Sequence, residues 1–197
     1  MQVLGDFLIG QSSRKCRPGG ILCHSCCRLL VSLSHFHTGK KAIHAAIIAA
    51  LYAVLTHLQN LILPGSASWA IQCRISEALC VLALFTPAAI PGLTIGCLLF
   101  NITFAAALPL DFLVGSLATA LAATAMWKLR RYPLPALTMP ALFNAILVGW
   151  ELTVYIGGGF WLNAVYVAIG ELIVMLTLGL LLHTVMKRRN LGKILFE

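Results

Sequence analysis

Charged residues are almost absent from long stretches of this chain. Between residues 42 and 127 only three side chains are charged, namely Arg74, Glu77 and Asp111. Over all 197 residues, 60% are hydrophobic and 10% are charged, whereas soluble domains usually contain about 25% charged residues. Such a chain folds in a lipid bilayer, where each spanning segment needs about 20 mostly apolar residues. Continuous apolar runs favour helices over a barrel, whose strands would alternate in polarity.

Helix-breaking residues divide the apolar sequence into six predicted spans. The breaks include PGSAS at 64–68, TPAAIPG at 86–92 and the glycine run at 157–159, because proline and glycine interrupt or end helices. The predicted spans cover 42–63, 69–85, 90–108, 112–127, 137–156 and 162–186. The predicted fold class is therefore all-α, a polytopic membrane protein with six transmembrane helices.

Lysine and arginine fall on one side of these spans. They precede the first span at 40–41, separate the fourth from the fifth at 128–131, and follow the sixth at 187–193, while the three opposite loops contain neither residue. The positive-inside rule then predicts that both termini are cytoplasmic. We expect the net charge of +8 to meet anionic lipid headgroups rather than nucleic acid.

Residues 1–39 differ from the predicted six-helix membrane domain, which covers 40–190. They combine a polar segment rich in proline and glycine with a short apolar run that Arg28 interrupts. We predict a poorly ordered cytoplasmic extension, or sequence upstream of the natural start. Its Cys23, His24, Cys26 and Cys27 could bind zinc together with Cys16, His35 and His37. Their irregular spacing is weak evidence, and we expect no metal site.

Polar residues inside the predicted spans concentrate towards the outer side of the membrane. Ionisable groups are costly there and suggest function. We predict one polar pocket, open to the outside and closed below. Glu151 and Glu171 are the leading candidates because neither has an obvious cationic partner in the sequence. The candidate substrate-binding residues are Arg74, Glu77, Asn101, Asp111, Asn144, Trp150, Glu151, Asn163 and Glu171.

Structural explanations exist for several of these candidates. Arg74 and Glu77 could meet at i, i+3 as an ion pair that fixes the second span against its neighbours. Asp111 could be the N-cap of the fourth span. The outer aromatic residues fit an interfacial belt, with Trp150 and Trp161 as the alternatives that could stack on a flat ligand.

The first span carries two rows of alanines on adjacent faces. Small residues at a spacing of four let helix backbones approach closely in lipid. These rows serve either packing inside the protein or docking of a second membrane subunit. The candidate docking residues are Ala42, Ala45, Ala46, Ala49, Ala50 and Ala53.

Four segments carry a resemblance to a known family. They are QCRISEALCVLALFTPAAIPGLTIGCLLFN at 72–101, DFLVGSLATALAA at 111–123, LFNAILVGWEL at 142–152 and AIGELIV at 168–174. The chain resembles the QueT family, the substrate-binding (S) components of energy-coupling factor (ECF) transporters. The resemblance covers about three quarters of the chain and includes polar as well as apolar positions.

The resemblance implies a multi-pass protein of the bacterial plasma membrane that is not an enzyme. The implied partners are a membrane scaffold subunit, EcfT, and two cytoplasmic ATPase subunits that use the ATP, so the chain itself needs no cofactor. S components of this kind dock on the scaffold through small residues of the first helix. The implied substrate is a queuosine precursor, either queuine or a 7-deazaguanine base.

A 7-deazaguanine presents a ring N–H and an amino group side by side, and one carboxylate can accept both hydrogen bonds. Glu151 or Glu171 could do so, and the sequence does not decide between them. The loop at 60–69 could close over the site. An alternative from a different class is a small membrane enzyme or sensor whose acidic pocket could hold a metal ion.

Overall fold

The computed structural model describes residues 21–64, 73–104 and 110–196, without the side chains of residues 21–38 and 193. The chain divides into two compact units, Met1–Lys40 and Lys41–Glu197. The cysteines and histidines of the N-terminal extension lie outside the described side chains. The poorly ordered extension and the absence of a zinc site there stay predictions.

The described part of the chain is helical and contains no strand, in agreement with the predicted all-α class. We number the α-helices in chain order, and a 3₁₀ helix and a π-helical turn lie between them. The elements are α1 (Ile21–Ile62), the 3₁₀ helix (Ile75–Leu84), α2 (Ala89–Thr103), α3 (Asp111–Lys128), α4 (Pro133–Leu137), α5 (Met139–Tyr155), α6 (Phe160–Val174), the π turn (Met175–Gly179), α7 (Leu180–Arg188) and α8 (Leu191–Phe196).

Three stretches of the described residues are long and apolar enough to cross a membrane. They are Gly39–Ile62, Pro133–Tyr155 and Phe160–Arg188. Two further apolar helices, Ile75–Leu84 and Ala89–Thr103, are shorter. An α-helix of 15 residues extends about 22 Å, less than the ~30 Å of a bilayer core. The chain is thus a membrane protein, while the count of six spans and the orientation of the termini stay predictions.

The predicted breaks lie where the structure ends its helices. The 3₁₀ helix stops at Leu84, just before the segment with Pro87, and α2 begins at Ala89. At the end of α5 the backbone turns through Gly157 and Gly158, whose φ angles are +85° and +81°. These left-handed conformations suit glycine because it has no Cβ.

The second predicted span differs from expectation, since Ile75–Leu84 is a 3₁₀ helix rather than an α-helix. Side chains three positions apart eclipse one another in a 3₁₀ helix. Glu77, Cys80 and Ala83 therefore lie along one side, and all three are buried. This winding directs a carboxylate and a thiol to the same side of the segment.

Helix α2 packs almost backbone to backbone against α1. A Cβ added at Gly96 would lie 2.8 Å from the Ala49 carbonyl oxygen, and one added at Gly92 would lie 2.7 Å from the Ala45 carbonyl oxygen. These glycines separate the two alanine rows. Ala45, Ala49 and Ala53 are buried or partly buried, while Ala42, Ala46 and Ala50 are exposed. Only the second row is free to meet another helix.

Candidate functional site

Four carboxyl groups from four different elements gather around one guanidinium group. Glu77 comes from the 3₁₀ helix, Asp111 from the start of α3, Glu151 from α5 and Glu171 from α6. All four are buried, as is Arg74, which is 4% exposed. Each of the four carboxyl groups lies close enough to the Arg74 guanidinium to interact with it electrostatically. We call these five residues the acid cluster.

Glu77 is the acid whose oxygens are both satisfied within the protein. One oxygen accepts a hydrogen bond from the buried Tyr52 hydroxyl on α1. The other accepts from the Cys80 thiol one 3₁₀ turn later, at 3.1 Å. Glu77 thus joins the 3₁₀ helix to α1, a structural role that the expected i, i+3 pair with Arg74 does not describe.

Gln59 of α1 holds the backbone on both sides of Arg74. Its side-chain NH₂ donates to the Cys73 carbonyl oxygen at 2.5 Å, and its oxygen accepts from the Ile75 N–H at 2.8 Å. One turn earlier, the Thr56 hydroxyl lies 2.7 Å from the Ser76 hydroxyl. These bonds fix the position of the backbone at Arg74, from which its side chain extends. Sequence reasoning missed Tyr52, whose signal was its spacing with Thr56 and Gln59 along one face of the first span.

Asp111 is not the N-cap of α3, the structural role that the sequence analysis gave as an alternative. Leu110 occupies that position without a side-chain cap, and Asp111 is the first residue of α3. Its carboxyl group is buried within range of Arg74 and approaches Glu151. Its backbone carbonyl oxygen accepts a hydrogen bond from the Asn101 amide at 2.8 Å. The N-cap interpretation is therefore wrong, because tertiary contacts direct the side chain inwards.

The absence of a side chain at Gly115 gives the cluster room. A Cβ there would lie 2.9 Å from the Asn101 amide nitrogen and 3.9 Å from Nη1 of Arg74. Gly115 follows Asp111 by one helical turn, so both face the same neighbours. The Asn101 amide oxygen beside it is buried and makes no hydrogen bond.

Glu151 and Glu171 carry the unpartnered carboxylate oxygens. Both oxygens of Glu151 and Oε2 of Glu171 are buried without a hydrogen bond to the described residues; Asp111 lies near Glu151, and Asn144 lies near Glu171. Their helices pack closely, since a Cβ at Gly149 would lie 2.9 Å from the Ala164 Cα. Burying a polar oxygen without a partner is costly. These buried oxygens can accept hydrogen bonds from donors that the described residues do not supply.

Two of the predicted binding residues do not join the acid cluster. Asn163 donates to the Thr153 hydroxyl and to the Gly157 carbonyl oxygen, both at 3.0 Å, and so secures the turn between α5 and α6. Trp150 is half exposed, and Trp161 is more exposed still. Half of the predicted closing loop, including Trp69, lies outside the described residues.

The described part of the chain contains no group of three or more histidine, cysteine, aspartate or glutamate side chains placed to hold a metal ion. The acid cluster instead pairs hydrogen-bond acceptors with the Arg74 guanidinium. This arrangement suits a small molecule that presents several N–H donors.

The link between Tyr52 and Glu77 gives a direct test of the structure. We expect Tyr52→Phe to leave a buried Glu77 oxygen unpaired and to lower the free energy of unfolding by about 1.5–3 kcal/mol. The measurement is the thermal unfolding midpoint of the protein in detergent. Tyr132→Phe is the matched control, because Tyr132 is 66% exposed and should not change the midpoint. Equal midpoints for both variants would show that Glu77 does not depend on Tyr52.

Comparison with known proteins identifies the family. The profile of the QueT transporter family matches residues 42–188, a range that contains the whole acid cluster. The comparisons with curated proteins and with solved structures return no match. The matched family consists of transporters rather than enzymes, so the alternative of a small membrane enzyme is not supported. The chain therefore belongs to the QueT transporter family and is a membrane transport protein.

Proposed function

We propose that this chain is the S component of an ECF transporter of the bacterial plasma membrane, and that it binds a queuosine precursor, either queuine or a 7-deazaguanine base. The observation that carries the proposal is Glu151, which is fully buried with both carboxylate oxygens unpartnered. Membership of a transporter family supports a ligand that is carried rather than converted.

Glu151 is the better candidate for the guanine-like edge of the substrate. A 7-deazaguanine offers a ring N–H and an adjacent amino group, which together need two acceptor oxygens in one plane. Both oxygens of Glu151 are without a hydrogen-bond partner, whereas for Glu171 this holds for Oε2. Charge-assisted bidentate hydrogen bonds of this kind are among the strong ones. In this proposal the Arg74 guanidinium, which belongs to the same cluster, donates to the ring carbonyl oxygen.

Orientation in the membrane follows from the distribution of lysine and arginine. With both termini in the cytoplasm, α5 runs outwards and Glu151 lies in its outer half. Substrate then enters the acid cluster from outside the cell. Two cytoplasmic ATPases supply the energy through the membrane scaffold subunit, and the chain itself uses neither ATP nor another cofactor.

The exposed alanine row provides the docking surface in this proposal. The exposed face of α1 carries three alanines one turn apart, Ala42, Ala46 and Ala50. None of the three contacts the α2 glycines, which pack against the other alanine row. Small residues in a row let a second helix approach closely in lipid. The row of Ala45, Ala49 and Ala53 is left to packing inside the protein.

Replacing Glu151 tests the proposed binding mode. We expect Glu151→Gln to weaken 7-deazaguanine binding by about 2–3 kcal/mol, roughly 30- to 150-fold, since the amide has one acceptor oxygen and no charge. The measurement is calorimetric titration of the purified protein. Trp150→Phe changes the neighbouring, half-exposed residue and should leave affinity unchanged. If Glu151→Gln and Glu171→Gln both bind like the unaltered protein, the acid cluster is not the binding site.

Enlarging an exposed alanine tests the docking surface. We expect Ala46→Leu to retain substrate binding but to abolish uptake into cells and co-purification with the scaffold subunit, because leucine prevents close approach of a second helix. Ala49→Leu serves as the contrast. Its side chain would meet α2 at Gly96, so it should lower stability by about 1–3 kcal/mol through overpacking. Normal uptake by Ala46→Leu would remove the exposed row as the docking surface.

A further inference from the structure

We propose that the 3₁₀ helix Ile75–Leu84 is a conformational switch. Helix α1 holds this segment stretched, and the segment rewinds to a shorter α-helix when the attachment of its N-terminal end to α1 is released. The inference concerns the protein by itself, so it goes beyond the proposed function and does not depend on the identity of any ligand.

The first observation is the length of the 3₁₀ helix. It runs for 10 residues, whereas 3₁₀ runs longer than about 3–4 residues are uncommon because their hydrogen bonds have poorer geometry. Its sequence ISEALCVLAL contains neither glycine nor proline. Five of the ten residues are alanine or leucine, which are among the strongest formers of α-helix. The local sequence therefore favours an α-helix, and contacts elsewhere in the protein must impose the tighter winding.

Hydrogen bonds to α1 hold the N-terminal end of the segment. The Gln59 side chain donates to the Cys73 carbonyl oxygen and accepts from the Ile75 N–H, at 2.5 and 2.8 Å. The Thr56 hydroxyl, from the preceding turn of α1, lies 2.7 Å from the Ser76 hydroxyl. This end of the segment is therefore fixed at the level of Gln59.

The C-terminal end is held through α2 and α8. The chain passes through Pro87 into α2, where a Cβ added at Gly92 would lie 2.7 Å from the Ala45 carbonyl oxygen of α1. A contact this close fixes α2 at the level of Ala45. The Phe85 ring is covered by α8, since a Cβ added at Gly192 would lie 2.7 Å from Cδ1 of that ring.

Helix α1 keeps these two attachments a set distance apart. Gln59 and Ala45 are separated by 14 residues of this helix, a rise of about 21 Å. Ten residues wound as a 3₁₀ helix cover about 20 Å, while the same ten residues wound as an α-helix cover only about 15 Å. The 3₁₀ winding thus lets a short segment bridge two points that α1 holds apart.

The helix beside the segment also departs from α-helical winding. The π turn Met175–Gly179 packs against the 3₁₀ helix, where a Cβ added at Gly179 would lie 3.4 Å from Cγ2 of Val81. π turns inside α-helices are rare and frequently lie at functional sites. A tightly wound segment and a loosely wound turn therefore lie side by side, and the turn can tighten as the segment widens into an α-helix.

Rewinding has a consequence for the acid cluster. Shortening the segment by about 5 Å draws its N-terminal end, with Arg74 and Glu77, towards Leu84. The carboxyl groups of α3, α5 and α6 are not attached to that end. The switch therefore gives α1 control over the distance between the central cation and three of the four acids.

Gln59→Leu tests the switch, because leucine keeps the size of the side chain and removes both hydrogen bonds. The measurement is NMR of the isotope-labelled protein in detergent. In an α-helix the Hα of residue i contacts the amide proton of residue i+4, whereas in a 3₁₀ helix it contacts that of residue i+2. We expect i, i+2 contacts within 75–84 in the unaltered protein, and their replacement by i, i+4 contacts in Gln59→Leu. Asn60→Leu is the matched control and should keep the unaltered pattern, since the Asn60 amide donates within α1.

An i, i+4 pattern in the unaltered protein would overturn the inference before any variant is made. Retention of the i, i+2 contacts in Gln59→Leu would overturn it as well, because α1 would then not be what stretches the segment. Loss of all helical contacts would equally contradict it. If Gln59→Leu does not fold, Thr56→Val removes the Ser76 contact alone and should add i, i+4 contacts to the i, i+2 pattern. An unchanged pattern in that variant would reject the switch.

Discussion

The Arg74 guanidinium is the positive charge on which the interior of this protein depends. It lies within electrostatic range of four buried carboxyl groups that come from separate elements. Without that charge, bringing the 3₁₀ helix, α3, α5 and α6 together would bury acids of one sign in a low dielectric. The requirement for one central cation therefore links the packing of the bundle to the chemistry of the site.

Helix α1 sets the position of that cation. The same helix therefore connects the acid cluster with the exposed alanine row. Gln59 binds the backbone on either side of Arg74, and Tyr52 holds Glu77. The same helix exposes Ala46 to a neighbouring helix. In the proposed function, the helix that docks on the scaffold also supports the binding site, so movement of α1 would reach the acid cluster through direct hydrogen bonds.

Sequence reasoning predicted the features that depend on local composition. Apolar runs predicted the three membrane-length helices at Gly39–Ile62, Pro133–Tyr155 and Phe160–Arg188. Pro87 and Gly157 predicted two of the breaks. It could not distinguish a 3₁₀ helix from an α-helix at Ile75–Leu84, because a short apolar run suits both. The inward direction of Asp111 and the division of the alanine rows depend on neighbours distant in sequence. Trp150 was chosen because it adjoins Glu151, and Asn163 because it precedes Glu171 by eight residues in the predicted sixth span. In the structure Trp150 is half exposed, and Asn163 bonds Thr153 and Gly157 instead.

An experimental structure with a 7-deazaguanine base bound tests the central claim most directly. The account predicts that both Glu151 oxygens lie about 2.8 Å from the ring N–H nitrogen and the amino nitrogen of the ligand, with Arg74 still surrounded by the four acids. A ligand bound away from Glu151, or Glu151 and Glu171 side chains that face lipid, would contradict it.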